Sequence, residues 1–280
     1  MECGVTQQLQ HVRDKVKRMT ETVLSEIDSR GVLRITLNRP AVHNAFSADQ
    51  IQQVIEVLRS GKTNPKVRLV VLAGAGKSFS AGGDLGHMRQ MGSNTYQENF
   101  DDALKLARMF EELNSMPQPT IAKVQGAAYG GGVGLVCCCD ITIGSDKARF
   151  CLSEVKLGMA PATIAPYVIT AIGVRAARRY CLSAEVISAE RARELGILGE
   201  VVEHDALDQE VENLIDHLLK NAPIGMQRAK GFVVEAGDAL IDEELIQESA
   251  KFIAELRESD EAREGLSAFL DKRPASWIES

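Results

Sequence analysis

The chain has 280 residues, of which 45% are hydrophobic and 25% charged, and its formal net charge is −7. This composition is typical of a soluble globular protein with a sizeable core. An acidic chain lacks the basic face that general nucleic-acid binding needs, and no apolar run approaches the roughly 20 residues of a membrane span. We therefore expect neither a nucleic-acid partner nor membrane insertion.

The first 18 residues are interpreted as an extension outside the core, because they are polar, carry mixed charges and lack the apolar centre of a secretory signal. We expect a core over residues 19–205 and a helical region over 206–280. Three of the six cysteines are consecutive, Cys137 to Cys139. This spacing favours packing in a reduced compartment over a disulfide framework, so the sequence predicts a cytoplasmic location.

The first half of the chain alternates strand and helix patterns. "GVLRITLNRP" alternates apolar and polar residues up to a proline, as a half-buried strand does. Ser47 then opens an amphipathic helix, with Gln50 completing a capping box. "VRLVVLAG" predicts a second, buried strand. A helix follows from about Asn99 to Met116, with one face formed by Leu104, Ala107, Phe110 and Leu113.

The second half begins with strands and ends with helices. Strands are predicted in "TIAKVQG", "ITIGS" and "ARFCLSE", and a glycine-rich turn opens a buried helix over 131–139. "SAERARELG" predicts a helix capped at Ser188 and closed by Gly196, before a short strand in "ILGEVVE". Residues 207–272 predict three helices. The order indicates an α/β core with a helical C-terminal region.

The glycine-rich stretch "AGAGKSFSAGGD", residues 73–84, raises the question of a phosphate loop. A P-loop needs another glycine five places before Gly76, where the chain has Val71. A dinucleotide fingerprint needs its third glycine at position 79, which is Phe79. Both nucleotide motifs are therefore excluded.

A second glycine loop, "YGGGVG" at 129–134, follows another predicted strand. If the two loops face each other, the N–H groups of Gly83 and Gly131 can converge on one oxygen that gains negative charge, as in an oxyanion hole. Spacing alone leaves open the alternative that both loops only let elements pack closely.

Three segments together resemble the crotonase superfamily, whose members act on acyl-CoA thioesters: "NRPAVHNAFS", "GAAYGGGVGLVCCCDITIG" and "ARFCLSEVKLGMAPA". The similarity runs from about residue 22 to 274. It implies a spiral of ββα units with a C-terminal helical region used in trimerisation, as a homotrimer or a dimer of trimers. It also implies that Gly83 and Gly131 donate their N–H groups to the thioester oxygen, and that no cofactor is needed beyond the coenzyme A of the substrate.

Further site residues follow from the same resemblance. Residues matching the substrate-binding positions of the family are His43, Ala45, Ala81, Gly82, Asp84, Leu85, Gly130, Gly134, Phe269 and Lys272. The last two would approach the CoA nucleotide, often from an adjacent subunit, although a plain helix end is the alternative for Lys272. Asp84 has the alternative of capping the next helix, which would start at about Leu85. His87 lies near the same pocket, but a lone histidine is weak grounds for a base.

The departure from the family pattern concerns the acids. Hydratases of this family commonly use two glutamates; here Gly134 occupies the first position, and only Glu154 is kept. A lone carboxylate suits an enoyl-CoA isomerase, but it can also activate water. The wider segments look most like bacterial hydratases of the 3-methylglutaconyl-CoA type, acting in leucine degradation, so a hydratase is preferred. An isomerase, a non-catalytic acyl-CoA-binding scaffold and, for Glu154, a solvated surface acid remain the alternatives.

Overall fold

The computed structural model describes residues 21–84, 86, 88–89, 92–237 and 239–278. Its strands are β1 (Val23–Ile27), β2 (Val32–Leu37), β3 (Leu69–Gly74), β4 (Ser78–Ser80), β5 (Thr120–Val124), β6 (Ala127–Tyr129), β7 (Ile141–Ser145), β8 (Arg149–Cys151), β9 (Ile187–Ser188) and β10 (Glu200–Val202). A large sheet has the order β1-β2-β3-β5-β7-β10, and a small sheet has the order β4-β6-β8-β9. β1 and β9 are antiparallel to their neighbours; the other pairs are parallel.

Helices connect and cover the two sheets. They are α1 (Ala48–Thr63), α2 (Tyr96–Asn114), α3 (Gly131–Cys137), α4 (Ala165–Ser183), α5 (Ala189–Leu195), α6 (Leu207–Leu218), α7 (Pro223–Gly237), α8 (Glu243–Arg257) and α9 (Asp260–Leu270). Three 3₁₀ turns cover Pro40–Val42, Glu154–Leu157 and His204–Ala206. Within the described parts of the chain, no helix is both long and apolar enough to cross a bilayer.

The central strands of the large sheet are buried on both faces, which explains the continuous apolar run of β3. Val70 and Leu72 belong to the main core between the sheet, α1 and α2, whereas Leu69 and Val71 join a second cluster on the opposite face. That second face is covered by α6 through Leu207, Val211 and Ile215. Parallel strands buried on both sides have this pattern. Each such side chain contributes about 1.5–3 kcal/mol when fully buried.

The predicted α/β class with a helical C-terminal region is confirmed, and so are several local signals. Ser188 caps α5 by accepting a hydrogen bond from Arg191 N, and Gly196 closes the helix in the left-handed conformation at φ 96°. Ser47 accepts from Gln50 N at the start of α1. The capping box predicted there is wrong in one respect, because the Gln50 side chain donates instead to Thr22 O.

Other predictions are wrong because tertiary contacts decide them. β1, β4, β6 and β9 were not predicted, and the described part of the C-terminal region contains four helices, α6 to α9, where three were expected. Leu104 was assigned to the buried face of α2 but is exposed, since that face is formed by Met109, Phe110 and Leu113. β6 has only three residues, too few to show the two-residue alternation of a strand. β1 forms by pairing with β2, which its own sequence does not reveal.

The predicted division at residue 205/206 stays a prediction. α6 lies beyond it in sequence, yet α6 packs on the large sheet. The expected extension over residues 1–18 lies outside the described residues. The cysteine run was expected to fill the core, and Cys138 and Cys139 are indeed buried. All five described cysteines are free thiols.

A buried asparagine in the segment before α1 forms hydrogen bonds to the first glycine loop. Asn44 is 0% exposed, and its Nδ2 lies within 3.1 Å of three carbonyl oxygens, those of Ala75, Ser78 and Phe79. Its Oδ1 accepts from Arg39 N at 2.8 Å. Its φ of 55° is left-handed, a conformation that asparagine tolerates better than most residues. Asn44 therefore holds the loop that leads to Gly83.

We expect Asn44→Ala to lower the free energy of unfolding by about 2–4 kcal/mol. The substitution leaves buried carbonyl groups without their donor and places alanine at positive φ. Asn44→Asp should destabilise more, because it directs a carboxylate at the same carbonyl oxygens. Urea denaturation at fixed protein concentration measures both effects.

The matched control is Asn213→Ala on the exposed side of α6, which should change stability by less than about 0.5 kcal/mol. An Asn44→Ala protein as stable as that control would show that Asn44 does not fasten the loop.

Candidate active site

The loop after β4 presents one peptide N–H that the fold does not use. Gly83 forms an isolated parallel bridge with Phe46, in which Phe46 N donates to Gly82 O at 2.6 Å and Asp84 N donates to Phe46 O at 3.1 Å. This pattern uses the groups on either side of Gly83 and directs its own N–H away from Phe46. Gly83 is exposed, so its N–H is accessible to a ligand.

The second unused N–H belongs to Gly131, the first residue of α3. The preceding Gly130 adopts φ 49° and ψ −120°, which favours glycine, and its carbonyl accepts from Val133 N at 2.9 Å. The N–H groups of a first helical turn have no acceptor within the helix. Among the described residues, neither Gly83 N–H nor Gly131 N–H has a hydrogen-bond acceptor.

The two loops are neighbours. β4 pairs with β6 in parallel through Ser80 and Ala128, so the C-terminal ends of the two strands lie side by side. A Cβ atom added at Gly82 would lie 3.4 Å from Gly131 N and 2.8 Å from Tyr129 O. This contact explains why Gly82 carries no side chain, and it places the Gly83 loop against the start of α3.

Glu154 lies beside the second loop. It begins the 3₁₀ turn after β8, and its Oε1 would be 2.9 Å from a Cβ atom added at Gly130. Its Oε2 is buried and has no hydrogen-bond partner among the described residues. Burial raises the pKa of this carboxyl above its usual 4.5. Glu154 is therefore not a solvated surface acid, and a desolvated carboxylate of this kind is typical of functional sites.

The position at which the family resemblance predicts a second acid is filled by apolar packing. Gly134 is buried, and a Cβ atom added there would lie 2.3 Å from Ile164 Cγ2 and 3.0 Å from Phe110 Cε1. No side chain fits at position 134 without displacing these neighbours. The substrate contact predicted for Gly134 is thereby limited to its backbone, and the second carboxylate is absent at this position.

His43, Ala45 and Ala81 were predicted to contact substrate, and the structure shows how they support the first loop. His43 O accepts from Ala81 N at 2.9 Å, and His43 Nδ1 lies 3.0 Å from Ser78 Oγ. Ala45 is buried, and its carbonyl accepts from the Arg39 guanidinium at 2.5 Å. Contacts of these residues with substrate stay predictions.

Asp84 fixes the far end of the loop. Its Oδ2 forms an ion pair with Arg39 Nη2 at 2.9 Å, and its Oδ1 accepts from Gly86 N at 2.7 Å. The capping alternative is confirmed by the second contact, because residues 86, 88 and 89 are helical. Leu85 and His87, both considered near the pocket, lie outside the described residues.

The two C-terminal candidates are exposed on a single chain. Phe269 is 79% exposed near the end of α9, and Lys272 follows in a left-handed conformation at φ 54°. α9 packs on α7 and α8. The expected approach of Phe269 and Lys272 to a CoA nucleotide therefore stays a prediction that concerns an assembly of chains.

Neither thiol nor metal chemistry is indicated among the described residues. Burial raises the pKa of the Cys137 thiol to about 12, so this thiol is protonated at neutral pH. No cluster of histidine, cysteine, aspartate and glutamate in the described part of the chain is arranged to hold a metal ion.

Two supporting residues were missed from the sequence. Arg39 and Asn44 both lie in the quoted segment "NRPAVHNAFS", and between them they bond to the start, middle and end of the loop from Ala75 to Asp84. An arginine and an asparagine flanking a proline turn give no signal of a long-range role. Only the tertiary structure shows their partners.

The chain is similar to known enoyl-CoA hydratases over nearly its whole length. The family model described as enoyl-CoA hydratase/isomerase matches residues 28–280. The short-chain-enoyl-CoA hydratase of Clostridium acetobutylicum is 31% identical, covering 85% of this chain and 91% of that protein. The 2,3-dehydroadipyl-CoA hydratase of Escherichia coli is 30% identical, covering 91% and 97%.

A solved structure gives the same result for the fold. The crystal structure of an enoyl-CoA hydratase from Shewanella pealeana superposes with a TM-score of 0.89 at 42% identity, covering 94% of this chain and 98% of that chain. Together with the two unused amides and the buried carboxylate, these similarities show that the chain belongs to the enoyl-CoA hydratase/isomerase family, the crotonase superfamily.

Proposed function

We propose that this protein is an enoyl-CoA hydratase that adds water to the double bond of a 2-enoyl-CoA thioester. The observation that carries the proposal is the juxtaposition of two unused loop amides, at Gly83 and Gly131, with the buried and unpartnered carboxylate of Glu154. No cofactor enters the reaction. The coenzyme A belongs to the substrate.

The two amides stabilise the charge that develops during addition. When the oxygen of water bonds to C3 of the substrate, the electron pair of the C2–C3 double bond moves toward the thioester carbonyl and forms an enolate. The N–H groups of Gly83 and Gly131 donate to that oxygen. Loss of one such donor typically costs about 2.7–4 kcal/mol of transition-state stabilisation.

Glu154 moves the proton. Its carboxylate takes a proton from the attacking water while the C3–O bond forms, and the resulting carboxylic acid returns that proton to C2 as the enolate collapses. The overall change is the addition of one water, and Glu154 ends in its starting state. Because position 134 has no acid, one carboxylate performs both transfers, and its raised pKa suits the acid half of the cycle.

The same observation favours a second candidate, an enoyl-CoA isomerase. A lone carboxylate can move a proton between C2 and C4 without any water. The two reactions differ in ultraviolet absorbance: hydration removes the conjugated enoyl-thioester band, and isomerisation of a 3-enoyl thioester creates it. A non-catalytic scaffold is less favoured, because the carboxylate and both amides are retained together; it would show neither change.

The finer proposal is a substrate with a second carboxylate and a branched chain, 3-methylglutaconyl-CoA or a related thioester. It is supported by the resemblance of "GGGVGLVCCCD" and "FCLSEVKLGMAPATIAPYV" to hydratases of that type. The relative from Escherichia coli is named for a 2,3-dehydroadipyl thioester, which also carries a far carboxylate. Leucine degradation in the cytoplasm is the corresponding setting.

We also propose a homotrimer, or a dimer of trimers, built through the C-terminal helices. These helices expose large apolar side chains that a monomer would leave in water: Ile224, Val233, Val234, Ile246, Ile253, Leu266, Phe269 and Leu270. Apolar surface of this extent is typical of protein interfaces. An assembly would also bring Phe269 and Lys272 of one chain toward another.

We expect Glu154→Gln to lower kcat for hydration of a 2-enoyl-CoA by about 10²–10⁴-fold, because the amide cannot accept or return the proton. Loss of enoyl-thioester absorbance measures the rate. Glu200→Gln, at an exposed acid on β10, is the matched control and should retain the parent rate. A Glu154→Gln rate within a few-fold of the parent would contradict the proposal.

The pH profile provides an independent check on the same residue. Glu154 must be ionised to take a proton from water, and burial raises its pKa above 4.5. Therefore kcat/KM of the parent should rise with pH through a pKa above that value. This rise of kcat/KM with pH should be absent from the residual activity of Glu154→Gln. If the rise persists unchanged in that variant, the titrating group is a residue other than Glu154.

A substrate panel tests the finer proposal. We expect kcat/KM for 3-methylglutaconyl-CoA to exceed that for crotonyl-CoA by at least about tenfold, because only the former offers a second carboxylate for specific contacts. The control is a 2-enoyl-CoA of equal chain length without that carboxylate. Equal kcat/KM values across the panel would indicate a general enoyl-CoA hydratase and would contradict the proposed preference for a carboxylated substrate.

A further inference from the structure

A second cleft lies beside the first half of the glycine-rich stretch, at Gly74 to Ser78, and five of its lining side chains are basic. We define the basic cleft by Lys77, Lys123, Lys147, Arg149 and His204, and its volume is about 600 Å³. Asp208 is the one carboxylate among its lining residues in the described part of the chain. This surplus of cations is notable in a chain with a net charge of −7.

The topology of the two sheets creates the cleft. Its floor lies at the carboxyl ends of parallel strands: Lys123 is near the end of β5, and Lys147 follows the end of β7. One wall is the small sheet, where Ala127 of β6 lies beside Arg149 of β8. Crevices at the carboxyl ends of parallel strands are preferred ligand sites in α/β proteins. A volume of this size is typical of small-molecule sites.

The basic groups are only partly neutralised by the protein. Lys123 pairs with Asp208 at 2.6 Å, whereas neither Lys77 nor Lys147 forms an ion pair with a described residue. Arg149 is oriented by hydrogen bonds from its Nη1 to the carbonyl of Ala148 at 2.7 Å and to that of Asp146 at 3.0 Å. Carbonyl groups orient a guanidinium without cancelling its charge.

The histidine is oriented in the same way. His204 Nδ1 lies 3.3 Å from Ser145 Oγ, which leaves Nε2 as the ring nitrogen for a ligand. Ser145 Oγ also accepts from Lys147 N at 3.2 Å. One serine thus positions two segments that line the basic cleft.

Residues of the basic cleft and residues of the segment before α1 both bond to the chain from Gly74 to Ser78, and Gln125 and Asn44 share the carbonyl of Ser78 as acceptor. Gln125, a lining residue of the basic cleft, donates to Gly74 O at 2.7 Å and Ser78 O at 3.0 Å. His43 and Asn44 bond to the same loop but do not line the cleft. The residues expected to contact coenzyme A therefore adjoin this segment without lining the basic cleft.

We propose that the basic cleft binds a small multivalent anion carrying phosphate groups, at a site separate from that of the acyl-CoA substrate. Lysine and arginine side chains make charge-assisted hydrogen bonds to phosphate oxygens, and several converging cations favour a ligand with more than one charge. A cleft of about 600 Å³ has the size of a small-molecule site. This inference does not depend on the acyl group that the enzyme accepts.

Isothermal titration of the full-length protein with inorganic pyrophosphate tests the proposal. We expect one site per chain, binding at least tenfold weaker in Lys147→Gln/Arg149→Gln, and unchanged affinity in Lys105→Gln, at an exposed lysine on α2. Saturating free coenzyme A should leave pyrophosphate binding unchanged. Sulfate should bind at least tenfold more weakly than pyrophosphate.

The single variant Lys147→Gln guards against loss of folding in the double variant, because Lys147 is exposed and forms no ion pair with a described residue. It should weaken pyrophosphate binding by at least about threefold. Absence of binding to the parent protein would overturn the proposal, as would equal binding by Lys147→Gln. Competition by coenzyme A would show that the cleft belongs to the substrate site and would equally overturn it.

Discussion

The arrangement of the site depends on two backbone N–H groups that have no acceptor among the residues that the structure describes. A fully buried amide that lacks an acceptor costs roughly 1–3 kcal/mol, but Gly83 is exposed and Gly131 is half-buried, so neither residue is fully buried. The chain avoids pairing in two ways: a single parallel bridge directs the Gly83 N–H outward, and a helix start does the same for Gly131. Both amides are then available to a substrate oxygen.

Holding these amides in place needs contacts far from the reacting atoms. Asn44 bonds to the start and middle of the first loop, and the ion pair of Arg39 with Asp84 fixes its end. On the second loop, glycine at position 130 permits the unusual backbone, and Glu154 packs against it. Oxyanion donors are effective because their orientation is set before the reaction begins. The first loop gains that orientation from Asn44 and Arg39, which lie in the segment before α1.

The proposed proton transfer depends on the environment of a single carboxylate, that of Glu154. Ile164 and Phe110 fill the space beside Gly134, so a second acid is excluded sterically as well as by sequence. The remaining carboxylate, Glu154, is partly desolvated and has a raised pKa. Such a group exchanges a proton in both directions more readily than a fully solvated glutamate. A carboxylate in this environment suits both of the proposed reactions, hydration and isomerisation.

Local signals in the sequence predict the parts of the fold that local physics determines. The runs that became β2 and β3, the cap at Ser188 and the glycine at 196 all depend on neighbouring residues. β1 needs β2 as a partner, and the Gln50 side chain bonds to Thr22, 28 residues away, instead of closing its own cap.

For the site, the glycine loops and Glu154 were predictable, but the burial of Glu154 Oε2 and the role of Asn44 were not. Both depend on segments that are distant in sequence and meet only in the folded chain.

A crystal structure of the enzyme with a bound, slowly reacting 2-enoyl-CoA analogue tests the central claim most directly. The account predicts that the thioester oxygen accepts hydrogen bonds from Gly83 N and Gly131 N at about 2.7–3.2 Å, with the Glu154 carboxylate facing C2 and C3. A thioester oxygen bonded to other groups, or a Glu154 side chain turned away from the acyl chain, would contradict it.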